Sequence, residues 1–241
     1  MTVSSSISAP ASDRASDRIG VWKALASPAQ TVRRLALRPN PVPWLAVTFA
    51  TMAATRAALL ATPVGQQALV DQWVQRADAF GLAVDDALYA RITSFGTQGV
   101  VYGLGLAVAF GLLLPLALAA GMRLLSGGRA PWRAALTLAA YANVALAVRD
   151  LVALPVGYVR ESLASPLTLG SFFTMLDEAS PVARFLWAVD LFVVWWLVLA
   201  ALGAAALSGR RAGSLLTSAA TVYVIAGLVL AAVMFAAGGG A

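Results

Sequence analysis

Five apolar runs, at about 42–62, 99–122, 134–156, 185–207 and 214–236, leave this chain of 241 residues few ways to fold. Each is near the roughly 20 residues that a helix rising 1.5 Å per residue needs to cross a hydrocarbon core of about 30 Å. Inside lipid no water can satisfy a free N–H or C=O, so each run must be helical. The fold class is therefore all-α: a five-span transmembrane helical bundle. The chain is 60% hydrophobic and 12% charged, where a soluble domain carries about 25% charged residues. It has no cysteine and no histidine, which removes disulfides, thiolate nucleophiles, imidazole bases and the usual zinc sites.

Three parts follow in order. Residues 1–20 are Ser-rich and polar without apolar periodicity, a disordered tail that lacks the apolar core of a signal peptide. Residues 21–41 form an interfacial amphipathic segment. Ser27, Pro28 and Gln30 make a capping-box start, and Val32, Leu35 and Ala36 lie on one helical face. Arg33, Arg34 and Arg38 lie towards the other face. With Trp22 and Lys23 upstream they are the expected anchor on an anionic membrane surface. Residues 42–241 are the five-helix domain. Within it, Leu69, Trp73, Ala77 and Phe80 follow helical spacing, so 66–96 is read as one or two amphipathic helices outside the membrane. Ser165-Pro166 and Ser180-Pro181, in the loop 157–184, read as turns or helix starts.

Lysine and arginine set the orientation. Eleven lie in the N-terminal segment and the 123–133 and 208–213 loops, against four on the other side (Arg76, Arg91, Arg160, Arg184). The N-terminus is expected in the cytoplasm and the C-terminus outside. The net charge of +6 thus reports topology, and no nucleic-acid partner is implied.

Four ionisable residues fall within the spans: Arg56, Arg149, Asp150 and Asp190. From the helical rise, Arg56 sits about 21 Å from the cytoplasmic boundary, Arg149 and Asp150 about 23 Å, and Asp190 about 8 Å below the outer boundary. All four therefore share one layer. Neighbours on a helix point about 100° apart, so Arg149 and Asp150 cannot pair with each other and each needs a partner elsewhere or a route to water. Three roles fit: arginines snorkelling to the interface, a structural cluster joining the first, third and fourth spans, or a path for an ion or substrate.

Gly99, Gly103, Ala107 and Gly111 form a small-residue stripe for close helix packing, within the chain before between chains. Pro115 and Pro155 are expected to kink their helices, and Asn143 is a candidate interhelical hydrogen-bond donor. Trp195 and Trp196 read as packing residues. Ser126-Gly127-Gly128-Arg129 is a turn without the phosphate-loop pattern. No GxSxG, HExxH or paired carboxylates in a cleft are present. The sequence assigns no catalytic residue, metal ligand or cofactor.

Several stretches, taken in order, resemble the Yip1-domain family of five-span membrane proteins over about 22–236. WKALASPAQTVRRLALRPNPVPW leads into the first span. LSGGRAPWRAALTLAAYANVALAV resembles the family's entry into its third span, with Pro155 towards its end. DLFVVWWLVLAALGAAALSG, 190–209, is similar to the Asp-aromatic-Trp opening and Gly-punctuated body of its fourth, and Asp190 is the residue carried over. In eukaryotes the family implies trafficking proteins that associate with small GTPases. The DLYGP-type motif of those members is absent here, so the resemblance implies the fold and a non-enzymatic, membrane-organising role.

The expectation is a polytopic protein of a bacterial inner membrane, the compartment associated with an Ala-, Leu- and Arg-rich chain holding one lysine. Its partners are the bilayer, and other membrane proteins or a second copy of itself. The alternative is a small transporter or permease subunit using the layer Arg56/Arg149/Asp150/Asp190, although five spans do not divide into two equal repeats.

Overall fold

The computed structural model describes residues 27–173 and 180–238. The N-terminal tail, with Trp22 and Lys23, lies outside the described residues. Helices dominate: α1 (Pro28–Leu37), α2 (Pro41–Leu60), α3 (Pro63–Ala79), α4 (Asp86–Gly96), α5 (Gly99–Leu125), α6 (Trp132–Arg160), α7 (Pro181–Ala188), α8 (Leu191–Ser208) and α9 (Ala212–Gly238). Five of these, α2, α5, α6, α8 and α9, are long and apolar enough to cross a membrane. They run alternately up and down. One end of the bundle therefore gathers α1, the start of α6 and the α8–α9 turn, and the other gathers α3, α4 and the loop after α6.

The centre is α6, the most buried of the five spanning helices, and α9 at the periphery is the least. Composition explains the difference. Ala134, Ala135, Ala139, Ala140, Ala142, Ala145 and Ala147 make α6 thin enough for neighbours on all sides, and every one is buried. In lipid, where hydrophobic transfer gains little, such close backbone approach supplies the packing energy. Tyr141 fills the space beside them, edge-on to Trp44 of α2 at 5.2 Å between centroids. Thr48, Met52, Thr55 and Leu59 form the buried face of α2. Its two threonine hydroxyls donate back to the carbonyls of Trp44 and Thr51, both at 2.8 Å, so neither leaves an unpaired group in the core.

The small-residue stripe of α5 faces α2. A Cβ built on Gly111 would lie 3.2 Å from the Phe49 Cα, one on Gly103 would meet the Leu60 side chain and the Arg56 Cβ, and one on Gly99 would touch Leu60. Ala107 between them is fully buried. The stripe therefore serves packing within the chain.

Two helices depart from the expected shape. In α5 a π-turn over Ala109–Leu113 precedes Pro115. Leu114 N donates to Ala109 O, one residue further back than in an α-helix, and Pro115 has no N–H. The Phe110 carbonyl is thereby left without a backbone donor from either register. The fourth span begins at Leu191, not at 185. Residues 181–188 form the separate helix α7, Val189 and Asp190 are extended, and Asp190 is the N-cap of α8. The interruption is stabilised by an antiparallel bridge in which Leu169 N donates to Val189 O (2.8 Å) and Leu191 N to Leu167 O (3.0 Å). Asp190 thus stands at the mouth of its helix, where the depth reckoning had put it five residues inside.

The α1 helix lays its apolar face, Val32 and Leu35, on α6 and α8, so protein covers the surface expected to meet lipid. Arg33, Arg34 and Arg38 remain on the exposed side. The segment 66–96 forms two helices, each started by a side-chain cap. Thr62 Oγ1 accepts from Gly65 N (3.0 Å), and Asp85 Oδ1 accepts from Leu88 N (2.7 Å).

Candidate functional site: a paired charge layer

At the α3 end of the bundle, the four charges within or bordering the spans form two ion pairs. Arg56, three residues before the buried Leu59, leaves the α2 face towards α6. There its guanidinium meets Asp150 in a two-point contact, Nε to Oδ2 at 2.6 Å and Nη2 to Oδ1 at 3.2 Å. The Arg56 side chain keeps 19% of its surface and that of Asp150 10%. The guanidinium carbon also lies 5.7 Å from the centroid of the Phe110 ring, an added cation–π contact. Planar fork and carboxylate match, the geometry for which arginine is suited and lysine is not.

The second pair is looser. Arg149 Nε lies 2.8 Å from Asp190 Oδ2, and the same nitrogen donates to Ser165 Oγ at 3.4 Å. Asp190 Oδ2 is fully buried and receives no well-directed hydrogen bond, so its contact with Arg149 is an attraction between charges and not a linear N–H···O bond. Asp190 is held by other means. Its Oδ1 accepts from Phe192 N (2.8 Å), capping α8, and its own N–H donates to the Tyr223 hydroxyl (3.1 Å). Tyr223 in turn donates to Ala188 O (2.8 Å), so one phenol on α9 bridges both sides of the break. Tyr223 was not singled out from sequence. The signal was there: a hydroxyl in the middle of an apolar span needs a partner.

The arrangement joins α2 to α6 through Arg56–Asp150, and α6 to α8 through Arg149–Asp190. Each pair is neutral, which lowers the cost of keeping four charges at this depth. A second polar knot lies nearer the bundle centre. Asn143, fully buried at a one-residue break in α6, donates through Nδ2 to the orphaned Phe110 carbonyl of α5. Its Oδ1 accepts from Trp196 Nε1 of α8 at 3.0 Å. One amide thus satisfies what the π-turn and Pro115 left open and ties three spans together. Trp195 and Trp196 both pack against the central apolar cluster.

Between α2, α3, α5, α6 and the loop at 162–165 lies a cavity of about 380 Å³. It is lined by Arg56, Arg149 and Asp150, and also by Arg76 from α3, which the sequence reading had counted only as a loop charge.

Fold and site define a polytopic helical membrane protein with five apolar spanning helices and a neutral, internally paired charge layer. The Yip1 domain model matches residues 22–234, and the chain belongs to that family. Neither a curated protein nor a solved structure matches it.

Proposed function

We propose that this Yip1-domain protein acts without catalysis, as an organiser of membrane or of partner membrane proteins through its helix surfaces. The observation that carries this reading is that each intramembrane carboxylate is already held by an arginine, Asp150 by Arg56 and Asp190 by Arg149. A carrier of protons or cations needs a carboxylate that can exchange its partner; a carboxylate clamped by two guanidinium nitrogens is suited to holding helices together. The pairing supports a structural cluster and weighs against the transporter alternative. The outward surface is the remaining asset. The α9 helix is the least covered of the spanning helices, and its Val222, Ile225 and Val229 are exposed.

The basic end, with Arg33, Arg34, Arg38, Arg129, Arg210 and Arg211, is proposed to face the cytoplasm of a bacterial cell, with the C-terminus outside. On that reading the exposed arginines of α1 lie among lipid headgroups. In a chain free of cysteine, Ser94→Cys in whole cells should react with an impermeant maleimide while Gly128→Cys should not; the opposite pattern inverts the topology.

Photo-crosslinking residues at 222, 225 and 229 test the organising role in native membranes. Discrete adducts with a membrane protein or a second copy are expected. Substrate-stimulated turnover by the purified protein, abolished in Asp150→Asn, would make the reading wrong.

A further inference from the structure

We infer that the cavity at the α3 end is a binding site for a phosphate group carried by an amphiphilic or small organic molecule. The first argument is a count of unused donors. An arginine offers five N–H groups. Asp150 engages Nε and Nη2 of Arg56, and Ser165 and Asp190 engage only Nε of Arg149. Among the described residues, Nη1 of Arg56, both terminal nitrogens of Arg149 and the whole Arg76 head have no protein acceptor. Three guanidinium groups and one carboxylate line the cavity, and with Asp190, which pairs Arg149 from behind the lining, also counted, one positive charge is left over, that of Arg76.

The second argument is shape. A volume of about 380 Å³ falls in the range that holds small ligands, and the lining combines polar with apolar side chains. Arg76, Gln72, Ser162 and Ser165 supply polar groups from α3 and the loop, and Leu106, Ala153 and Leu154 line it from the spans. A tetrahedral oxyanion uses several N–H donors at once, which a guanidinium fork supplies and a point charge does not. The ion pairs that tie α6 to α2 and to α8 keep two of the forks fixed before any ligand arrives. Arg76, on the exposed α3, is the remaining cation and has no other assigned work. The phosphate could belong to a phospholipid headgroup of the leaflet at this end or to a soluble phosphate ester; the binding chemistry is shared.

The full chain, delipidated in detergent, should be titrated in two arms and compared with Arg76→Gln and with the cavity-filling Ala153→Trp. The lipid arm uses nanodiscs or mixed micelles of phosphatidylglycerol, with phosphatidylcholine as the zwitterionic comparison, read by native mass spectrometry. The soluble arm uses glycerol 3-phosphate, read by calorimetry. Wild type should hold an anionic phosphate ligand in at least one arm, and Arg76→Gln should weaken it about tenfold, the loss of one charge-assisted contact. Ala153→Trp should abolish it, while Arg91→Gln on α4 should leave it unchanged. Binding in the lipid arm alone assigns the site to a headgroup, and displacement by glycerol 3-phosphate assigns it to a soluble ester. Equal binding by wild type, Arg76→Gln and Ala153→Trp, or no binding in either arm by a folded protein, overturns the proposal.

Discussion

Replacing Asp150 by leucine leaves Arg56 with its charge and without its partner. Removing one member of a buried pair costs about 3–5 kcal/mol where the remaining charge has no relief. Arg56 has some relief: 19% of its side chain is uncovered, it lines the cavity, and the Phe110 ring lies 5.7 Å away. The expected loss for Asp150→Leu is therefore about 2–3 kcal/mol, below the fully buried case. Arg56→Met leaves the carboxylate alone and should cost at least as much, because Asp150 is the better covered of the two and accepts nothing else. The double variant Arg56→Met/Asp150→Leu exchanges a salt bridge for an apolar contact of similar volume and should recover most of the loss. The single losses sum to about 4–6 kcal/mol, so with about 1 kcal/mol left in the double variant the coupling energy, read from denaturant unfolding in mixed micelles by tryptophan fluorescence, should be about 3–5 kcal/mol, well above the 0.2–1 kcal/mol of an exposed pair. Additive losses, within about 0.5 kcal/mol, would refute the reasoning.

The same measurement separates the two roles of Asp190. Asp190→Asn keeps the acceptor for Phe192 N and loses only a loose ion pair, so about 1 kcal/mol or less is expected, whereas Asp190→Ala also removes the cap and should cost about 1–2 kcal/mol more. Exchanging Arg149→Asp with Asp190→Arg should not restore stability, because arginine at 190 cannot accept from Phe192 N; full recovery contradicts the cap. Along α5, Gly105→Ala meets nothing within 4 Å and should be tolerated. Gly103→Ala meets chiefly a movable Leu60 methyl, while Gly111→Ala drives into Phe49 backbone and should cost about 1–3 kcal/mol. A reversed order would show that the α2–α5 contact is misplaced. Asn143→Leu leaves the Phe110 carbonyl and Trp196 indole unpaired and should destabilise by about 1–3 kcal/mol with a shift in tryptophan emission; an unchanged unfolding midpoint would exclude the three-helix link.

Span number, helical class and the family were legible in the sequence because lipid permits so few backbone solutions. The four charges could be named from the sequence, but counting residues put Asp190 inside a span that begins only after it. Which arginine faces which aspartate was not legible, because depth leaves the rotation of each helix open, and rotation here is set by distant choices such as Gly111 against Phe49. The break before α8 carried a readable signal, an aspartate directly ahead of an apolar run, but hydropathy averaged over a window smoothed across it. The Asn143–Phe110 bond could not be read from α6 alone. It exists because a proline on another helix, together with a π-turn, leaves one carbonyl free.

Ion flux tests the central claim, that the charged layer is a closed clasp, most directly. Wild-type protein reconstituted in liposomes, with a pH-sensitive dye inside and a proton or sodium gradient imposed, should behave as protein-free liposomes do, and Asp150→Asn should change nothing. A saturable flux through wild type that disappears in a folded Asp150→Asn would show that the pair opens to conduct, and would contradict the account.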